Sequence, residues 1–217
     1  MNGLAEPGGV EYQVASARET ESIVKLLAEV FSRHDPLALA VGVTAADFES
    51  FVRLLTPKVE NEGLTVVARC AQTGMVVGAL LAEDGGSPAP QGMKALEPKF
   101  DPVMDILGQL SAMHSGDQDP RPGELLHLYL LGVFDESTRR GIAQGLVNAC
   151  MENGARKGYK LAVAEATNRV SQHIFYKLGF AGRAQMSYKD FLYKGSPVFA
   201  SIQEHGGAVL MEKPLND

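Results

Sequence analysis

The run Leu125–Ala143, LLHLYLLGVFDESTRRGIA, constrains this chain more than any other: an apolar strand passes straight into a polar turn and then into a glycine-containing helix start. The first turn of a helix presents backbone N–H groups without intrahelical partners, at the positive end of the macrodipole. A pyrophosphate laid across Arg139, Arg140, Gly141, Ile142 and Ala143 is stabilised by geometry that a strand–turn–helix unit already supplies. Gly141 lets such a ligand approach the backbone, and the two arginines add positive charge. A Gly-x-Ala step at such a turn also occurs where it serves packing alone, so the reading needs a second signal.

Around this unit the chain alternates between strand-like and helix-like segments. Val10–Ala15 predicts a first strand, and Ser16-x-x-Glu19 is a capping-box pattern ahead of Ile23, Leu26, Leu27, Val30 and Phe31, an amphipathic helical stripe. That helix is expected to stop at Ser32–Pro36, because proline disfavours helical geometry at the residue before it and lacks an N–H. A second helix is predicted near Ala45–Leu55, followed by a hairpin of Leu64–Cys70 and Met75–Leu81 and a Gly- and Pro-rich loop at Asp84–Gly92. Pro102–His114 has helical spacing, and the whole stretch at about 84–123 reads as an insertion. Strand four is Leu125–Val133, and the helix Arg140–Lys157 ends at Gly158. Then come a strand at Lys160–Ala164, a helix at Val170–Leu178, and last strands at Phe180–Tyr188 and Ala208–Glu212.

A chain of 217 residues, 45% hydrophobic, suits one domain (1–217) better than two. It has no apolar run long enough to span a membrane, and its first residues have no leader pattern, so a cytoplasmic protein is expected. The net charge of −6 argues against nucleic-acid partners and suits a cationic substrate. Cys70 and Cys150 make no metal-type spacing with the five histidines, so no metal is expected, and both read as small buried hydrophobes.

The second signal lies at Ala166–Phe180, ATNRVSQHIFYKLGF, with Asn168, Ser171, Phe175 and the pair Gly179-Phe180. Together with Val133 and Thr138-Arg139-Arg140-Gly141-Ile142-Ala143, this resembles the two cofactor motifs of the GCN5-related N-acetyltransferases (GNATs), in order and at matching spacing. The resemblance implies an α/β (α+β) GNAT fold. Its central mixed, mostly antiparallel sheet has about seven strands flanked by helices, and strands four and five splay into an acetyl-CoA cleft. It implies cofactor contacts from Leu131, Gly132, Val133, the loop Thr138–Ala143, Asn168 and Phe175. Two positions depart from the family pattern: Thr138 stands where Arg or Gln is usual, and Phe175 where the family's general-acid tyrosine is usual. Tyr176 is one residue, about 100° of helix, away from that place.

Phe31-Ser-Arg-His-Asp-Pro-Leu37 and the tail Ser187–Phe199 are similar to the insect dopamine-type arylalkylamine N-acetyltransferases, with Asp35 in place of a catalytic glutamate. Three residues are candidates for the chemistry. Asp35 is placed by resemblance, and the bland reading is a helix-exit residue before proline. His127 under strict alternation shares a face with Tyr129, Leu131 and Val133, where a neutral imidazole makes a well-tuned base, or it is a satisfied core histidine. Ser171, one turn before Phe175, supplies a hydroxyl on the same helical face or only caps its helix. The acceptor is expected to be a small arylalkylamine taking acetyl by direct attack in a ternary complex, in a monomer or homodimer. Met104, Met113 and Phe100 define no aromatic pocket, which keeps open a polyamine or other aliphatic amine. Thr138 and Phe175 keep open a catalytically weak acyl-CoA-binding module.

Overall fold

The computed structural model describes residues 9–93, 96, 98–115, 120–137 and 141–215. Seven strands, β1 (Val10–Val14), β2 (Val66–Cys70), β3 (Val76–Asp84), β4 (Leu125–Val133), β5 (Leu161–Ala166), β6 (Ala181–Ser187) and β7 (Gly207–Pro214), form one sheet. The order is β1-β2-β3-β4-β5-β7-β6, and only the β4–β5 contact is parallel. The helices are α1 (Thr20–His34), α2 (Pro36–Ala40), α3 (Ala45–Glu62), α4 (Asp101–Ser115), α5 (Ile142–Arg156) and α6 (Arg169–Lys177). This is the α/β architecture with a mostly antiparallel open sheet that the motifs imply.

Each face of the sheet is covered because each strand alternates. Leu80, Ala82, Leu126 and Leu128 pack with Leu146, Val147 and Cys150 of α5 and Phe175 of α6. Ala79, Leu81 and Leu130 pack on the other face against α1 and α3. On that same face Ile106 and Leu110 of α4 join Leu210 of β7 and the rings Tyr188, Phe191 and Phe199. The predicted insertion therefore contributes a helix that closes the side of the sheet beyond α1.

Several elements outrun their sequence signals. α3 continues through Pro57 to Glu62, and the proline's missing donor is made good locally: the Thr56 hydroxyl donates to Arg53 O at 2.9 Å. α2 is a short helix the sequence did not suggest, with Pro36 at its first position and Asp35 as its N-cap. β3 runs three residues past Leu81 to Asp84, and β5 two past Ala164 to Ala166, bringing Glu83 and Glu165 into the sheet. Cys150 is buried as expected but Cys70 is only half-buried, and neither is in a disulfide. Among the described residues no helix is long and apolar enough to cross a membrane.

Two irregularities of β4 position the site. Opposite β3, Leu128 pairs with Ala82 and Leu130 with Leu81, so Tyr129 is an extra, bulged residue. The bulge reverses the alternation: His127 and Tyr129 face α1 and α3 with Leu130, whereas Leu131 and Val133 pack toward α5. Strict alternation through Val133, the basis for placing His127 beside it, does not hold. The parallel pairing with β5 stops at His127↔Val163, and beyond it β4 and β5 part.

Gly132, just past the bulge, lies under α1: a Cβ there would stand 2.9 Å from Leu27 Cδ2 and 3.2 Å from Leu26 Cδ2, both fully buried. Gly132→Ala is expected to destabilise the fold by about 1–3 kcal/mol, read as a lower midpoint in urea denaturation. An unchanged midpoint would show that α1 yields freely at this position.

Candidate active site

Where β4 and β5 separate, a cavity of about 150 Å³ opens between the sheet and the helices α1, α3 and α4. Its walls include Phe31, Phe48, Phe51, Phe100 and Tyr129, and Phe175 closes its far side. The rings support one another: Phe31 stacks on Phe48 at 4.9 Å, and Phe51 meets Tyr129 edge-on at 6.0 Å. An aromatic pocket is present although Phe100, Met104 and Met113 alone do not make one, because α1 and α3 supply half of its six rings. Val103, Met104 and Leu107 of α4 complete the wall.

Asp35 projects into this cavity from the α1–α2 junction. Pro36 ends α1 and starts α2, which puts Asp35 in extended geometry at the N-cap. One carboxylate oxygen accepts the Ala38 N–H at 2.9 Å and the other the Thr167 hydroxyl at 2.7 Å. The Thr167 carbonyl accepts in turn from the Tyr188 hydroxyl at 2.6 Å. Burial raises the Asp35 pKa above the usual aspartate range, and the Ala38 and Thr167 hydrogen bonds offset only part of that. The helix-exit reading of Asp35 thus holds, and the same side chain also lines the cavity.

His127 is held at both ring nitrogens. Nδ1 lies 3.1 Å from Glu83 Oε1 on β3, and Nε2 lies 2.7 Å from Glu165 Oε2 on β5. Behind Glu83, Lys58 Nζ donates to its other oxygen at 2.9 Å and to the Asp84 carbonyl at 3.1 Å. Burial alone would push the His127 pKa down, but the two carboxylates outweigh it and hold the pKa at about 10. Burial would raise Glu83 and Glu165, yet His127, with Lys58 at Glu83, brings both below the ordinary glutamate range. The expected neutral, base-competent imidazole is therefore replaced by an imidazolium with no free lone pair.

Ser171 is at the third position of α6, where its amide bonds Asn168 Oδ1 at 2.9 Å and its hydroxyl donates to Asn168 O at 2.9 Å. Both residues line the cavity and together cap the helix, as the bland reading of Ser171 anticipates. Phe175 is buried and edge-on to Phe180 at 4.9 Å, while Tyr176 is 53% exposed on the outer side of α6 and turned away from the cavity.

The expected cofactor strip can be followed along the open edge of β4. Phe134 N–H donates to Val77 O on the β3 side, so alternation directs the N–H groups of Leu131 and Val133 to the edge that β5 has left, and that of Gly132 to β3. Gly141 is the N-cap of α5 at φ +73°, a left-handed geometry that suits glycine, and among the described residues nothing lies within 4 Å of the place a Cβ would take. Ile142 is buried in the core, and Ala143 follows it in the first helical turn, whose N–H groups have no helical acceptor. Thr138, Arg139 and Arg140 lie outside the described residues. An unpaired strand edge leading to an open helix N-terminus is a cradle that suits an extended phosphate-bearing thioester.

Glu83, Glu165 and Thr167 were not singled out from the sequence, although all three contact His127 or Asp35. The available signal was a charged residue at the end of each apolar run, opposite a strand histidine. For His127, raised from the ordinary histidine value of 6.5 to about 10, the stability contributed is complete below pH 6.5 and falls as pH rises toward 10. Urea denaturation of the wild type across that window is expected to show this fall, and His127→Gln to lose it while destabilising by about 3–5 kcal/mol at pH 7. A flat wild-type profile would contradict the imidazolium.

Comparison with known proteins agrees with this geometry. Residues 116–188, from ahead of β4 to Tyr188, match the FR47-like protein family model. The C-terminal condensation domain of Ebony, solved in complex with beta-alanyl-dopamine, superposes with a TM-score of 0.85 at 14% identity, over 95% of this chain and 99% of that one. Arylalkylamine N-acetyltransferase 2 from Aedes aegypti gives 0.79 at 19% identity, over 96% and 100%. The Drosophila melanogaster polyamine N-acetyltransferase, which catalyses the formation of N-acetylagmatine, gives 0.75 at 20%, over 95% and 100%. With its parted β4 and β5 and its FR47-like segment, this chain has the GNAT fold and is similar to the insect arylalkylamine N-acetyltransferases.

Proposed function

We propose that the chain is an N-acetyltransferase that uses acetyl-CoA and acts on the primary amine of a small arylalkylamine. The observation that carries this reading is Asp35: a buried carboxylate of raised pKa in an aromatic-walled cavity that meets the unpaired edge of β4. Acetyl-CoA supplies an activated acyl group as a thioester. Leu131, Val133 and the α5 N-terminus would hold it, with Gly141 admitting it close to the backbone.

The chain's own groups have a short list of tasks. The acceptor arrives as an ammonium, and Asp35 takes one proton from it, freeing the nitrogen lone pair. The N–C bond then forms as the C–S bond breaks, and the second proton leaves nitrogen for the departing thiolate. A backbone N–H on the open edge of β4, that of Val133 in particular, stabilises the charge that develops on the carbonyl oxygen. The aromatic walls orient the acceptor and exclude water, so that attack is effectively intramolecular. Thr167, bonded to Asp35, keeps the base aimed and its pKa from rising further.

A polyamine or agmatine acceptor is the second reading, favoured by one observation: a second carboxylate, Glu165, lines the same cavity and suits a second cationic end. Thiol release with tyramine, dopamine, serotonin, agmatine and spermidine separates the two, with faster turnover of the aromatic amines expected. No acceptor-dependent release from a protein that still binds acetyl-CoA would leave the acyl-CoA-binding module.

Asp35→Asn is expected to reduce kcat/KM roughly 10²–10⁴-fold. Asn caps a helix as well as Asp. Because the folded-state pKa of Asp35 is raised, its charge opposes folding at neutral pH and ceases to do so as the carboxyl is protonated in acid. The variant should therefore melt no lower than wild type at pH 7, and undiminished turnover would remove Asp35 from the mechanism. Thr167→Val, which deletes a hydrogen bond that lowers the Asp35 pKa, is expected to move the acid limb of the kcat/KM profile to higher pH. An unmoved limb would mean that another group titrates there.

A further inference from the structure

Among the described wall residues the ionisable side chains are His34, Asp35, Tyr129 and Glu165, with no lysine or arginine. His34 lies at the exposed end of α1, 3.0 Å from Asp135, and Asp35 is bonded to Ala38 and Thr167. Glu165 differs from these in how it is held. His127 binds one of its oxygens at 2.7 Å, and His127 is braced by Glu83, which is braced by Lys58. This alternating row of two cations and two carboxylates crosses β3, β4 and β5 and ends at the cavity. A carboxylate gripped on one side by a buried cation keeps its charge and its direction, and Glu165 retains lone pairs for a further donor. Phe51 and Tyr129 line the same cavity as Glu165, and aromatic rings attract cations.

We propose that Glu165 is a specificity-determining residue, receiving the acceptor as an ammonium ion and discriminating against uncharged molecules of the same shape. This rests on the reading of the cavity as the amine site. It also divides the work between two carboxylates: Glu165 recognises charge and stays ionised, while Asp35 exchanges the proton. A fixed negative charge without its imidazolium partner would hold the ammonium proton too firmly. With His127 behind it, Glu165 offers a hydrogen-bond acceptor whose charge is partly offset by the imidazolium.

The test is a pair of ligands read by calorimetry in the presence of saturating CoA, so that no turnover is needed. The ligands are 2-phenylethylamine and its uncharged counterpart 2-phenylethanol. Wild-type protein is expected to bind the amine about 10- to 100-fold more tightly, the range for a hydrogen bond to a charged partner. Glu165→Gln should bring the two affinities toward equality by weakening the amine, leaving the alcohol where it was. Equal affinities in the wild type would overturn the proposal, and this arm needs no variant to fold. So would a preference retained in Glu165→Gln, a preference lost in Asp35→Asn instead, or an equal weakening of both ligands. Failure of both ligands to bind the wild type would remove the amine-site reading along with it, whereas equal binding would remove only the role of Glu165.

Discussion

The site depends on one buried cation. His127 sits at the last paired position between β4 and β5, and its two nitrogens tie it to Glu83 on the strand before and Glu165 on the strand after. Taking an imidazole and two carboxylates out of water is costly unless they satisfy one another, and here they do, with Lys58 completing the row. The row fixes where the sheet stops being continuous. Below it β4 and β5 are paired; above it the bulge at Tyr129 twists β4 away, and a cleft opens with an unpaired strand edge on one side.

That cleft and the cavity beside it place two carboxylates in opposite environments. Asp35 is buried among rings, and that burial pushes its pKa up against the lowering effect of its Ala38 and Thr167 hydrogen bonds. Glu165 faces an imidazolium, and its pKa is held down. Groups of one chemical type whose environments separate their proton affinities can take different parts in one reaction, and the proposed roles of base and ammonium acceptor rest on that separation together with the place of both carboxylates in the cavity wall. In the proposed mechanism Asp35 carries a structural task and a chemical one on the same side chain. Capping α2 consumes one lone pair on one oxygen and fixes the carboxylate toward the cavity.

Much of the fold was legible in the sequence because it is written in periodicity. The apolar alternation of Leu125–Val133 gives β4 with the bounds the structure has, and the Ser16–Glu19 capping box forms in the 3-10 turn just ahead of α1, as Asn168 and Ser171 cap α6. What was illegible depends on pairing across the sheet. Glu83 and Glu165 looked like the ends of apolar runs, since a charge on a strand normally marks solvent; only the pairing of Glu83 with His127, and the reach of Glu165 back to His127 from two residues past Val163, make them interior. The bulge at Tyr129 has no signature in residue type, yet it moves Leu131 and Val133 to the opposite face from His127. The aromatic wall was hidden for a related reason: Phe31, Phe48 and Phe51 lie on helical stripes that read as ordinary core, and only α4 reveals that they surround a space rather than fill it.

The most direct test of this account is a crystal structure of the dead-end complex with CoA and tyramine. The account predicts the thiol end of CoA against the open edge of β4 at Leu131–Val133, the tyramine ring among Phe48, Phe51 and Phe100, and its nitrogen within hydrogen-bonding distance of Asp35. A ring bound outside the cavity, or CoA bound away from the parted strands, would contradict it.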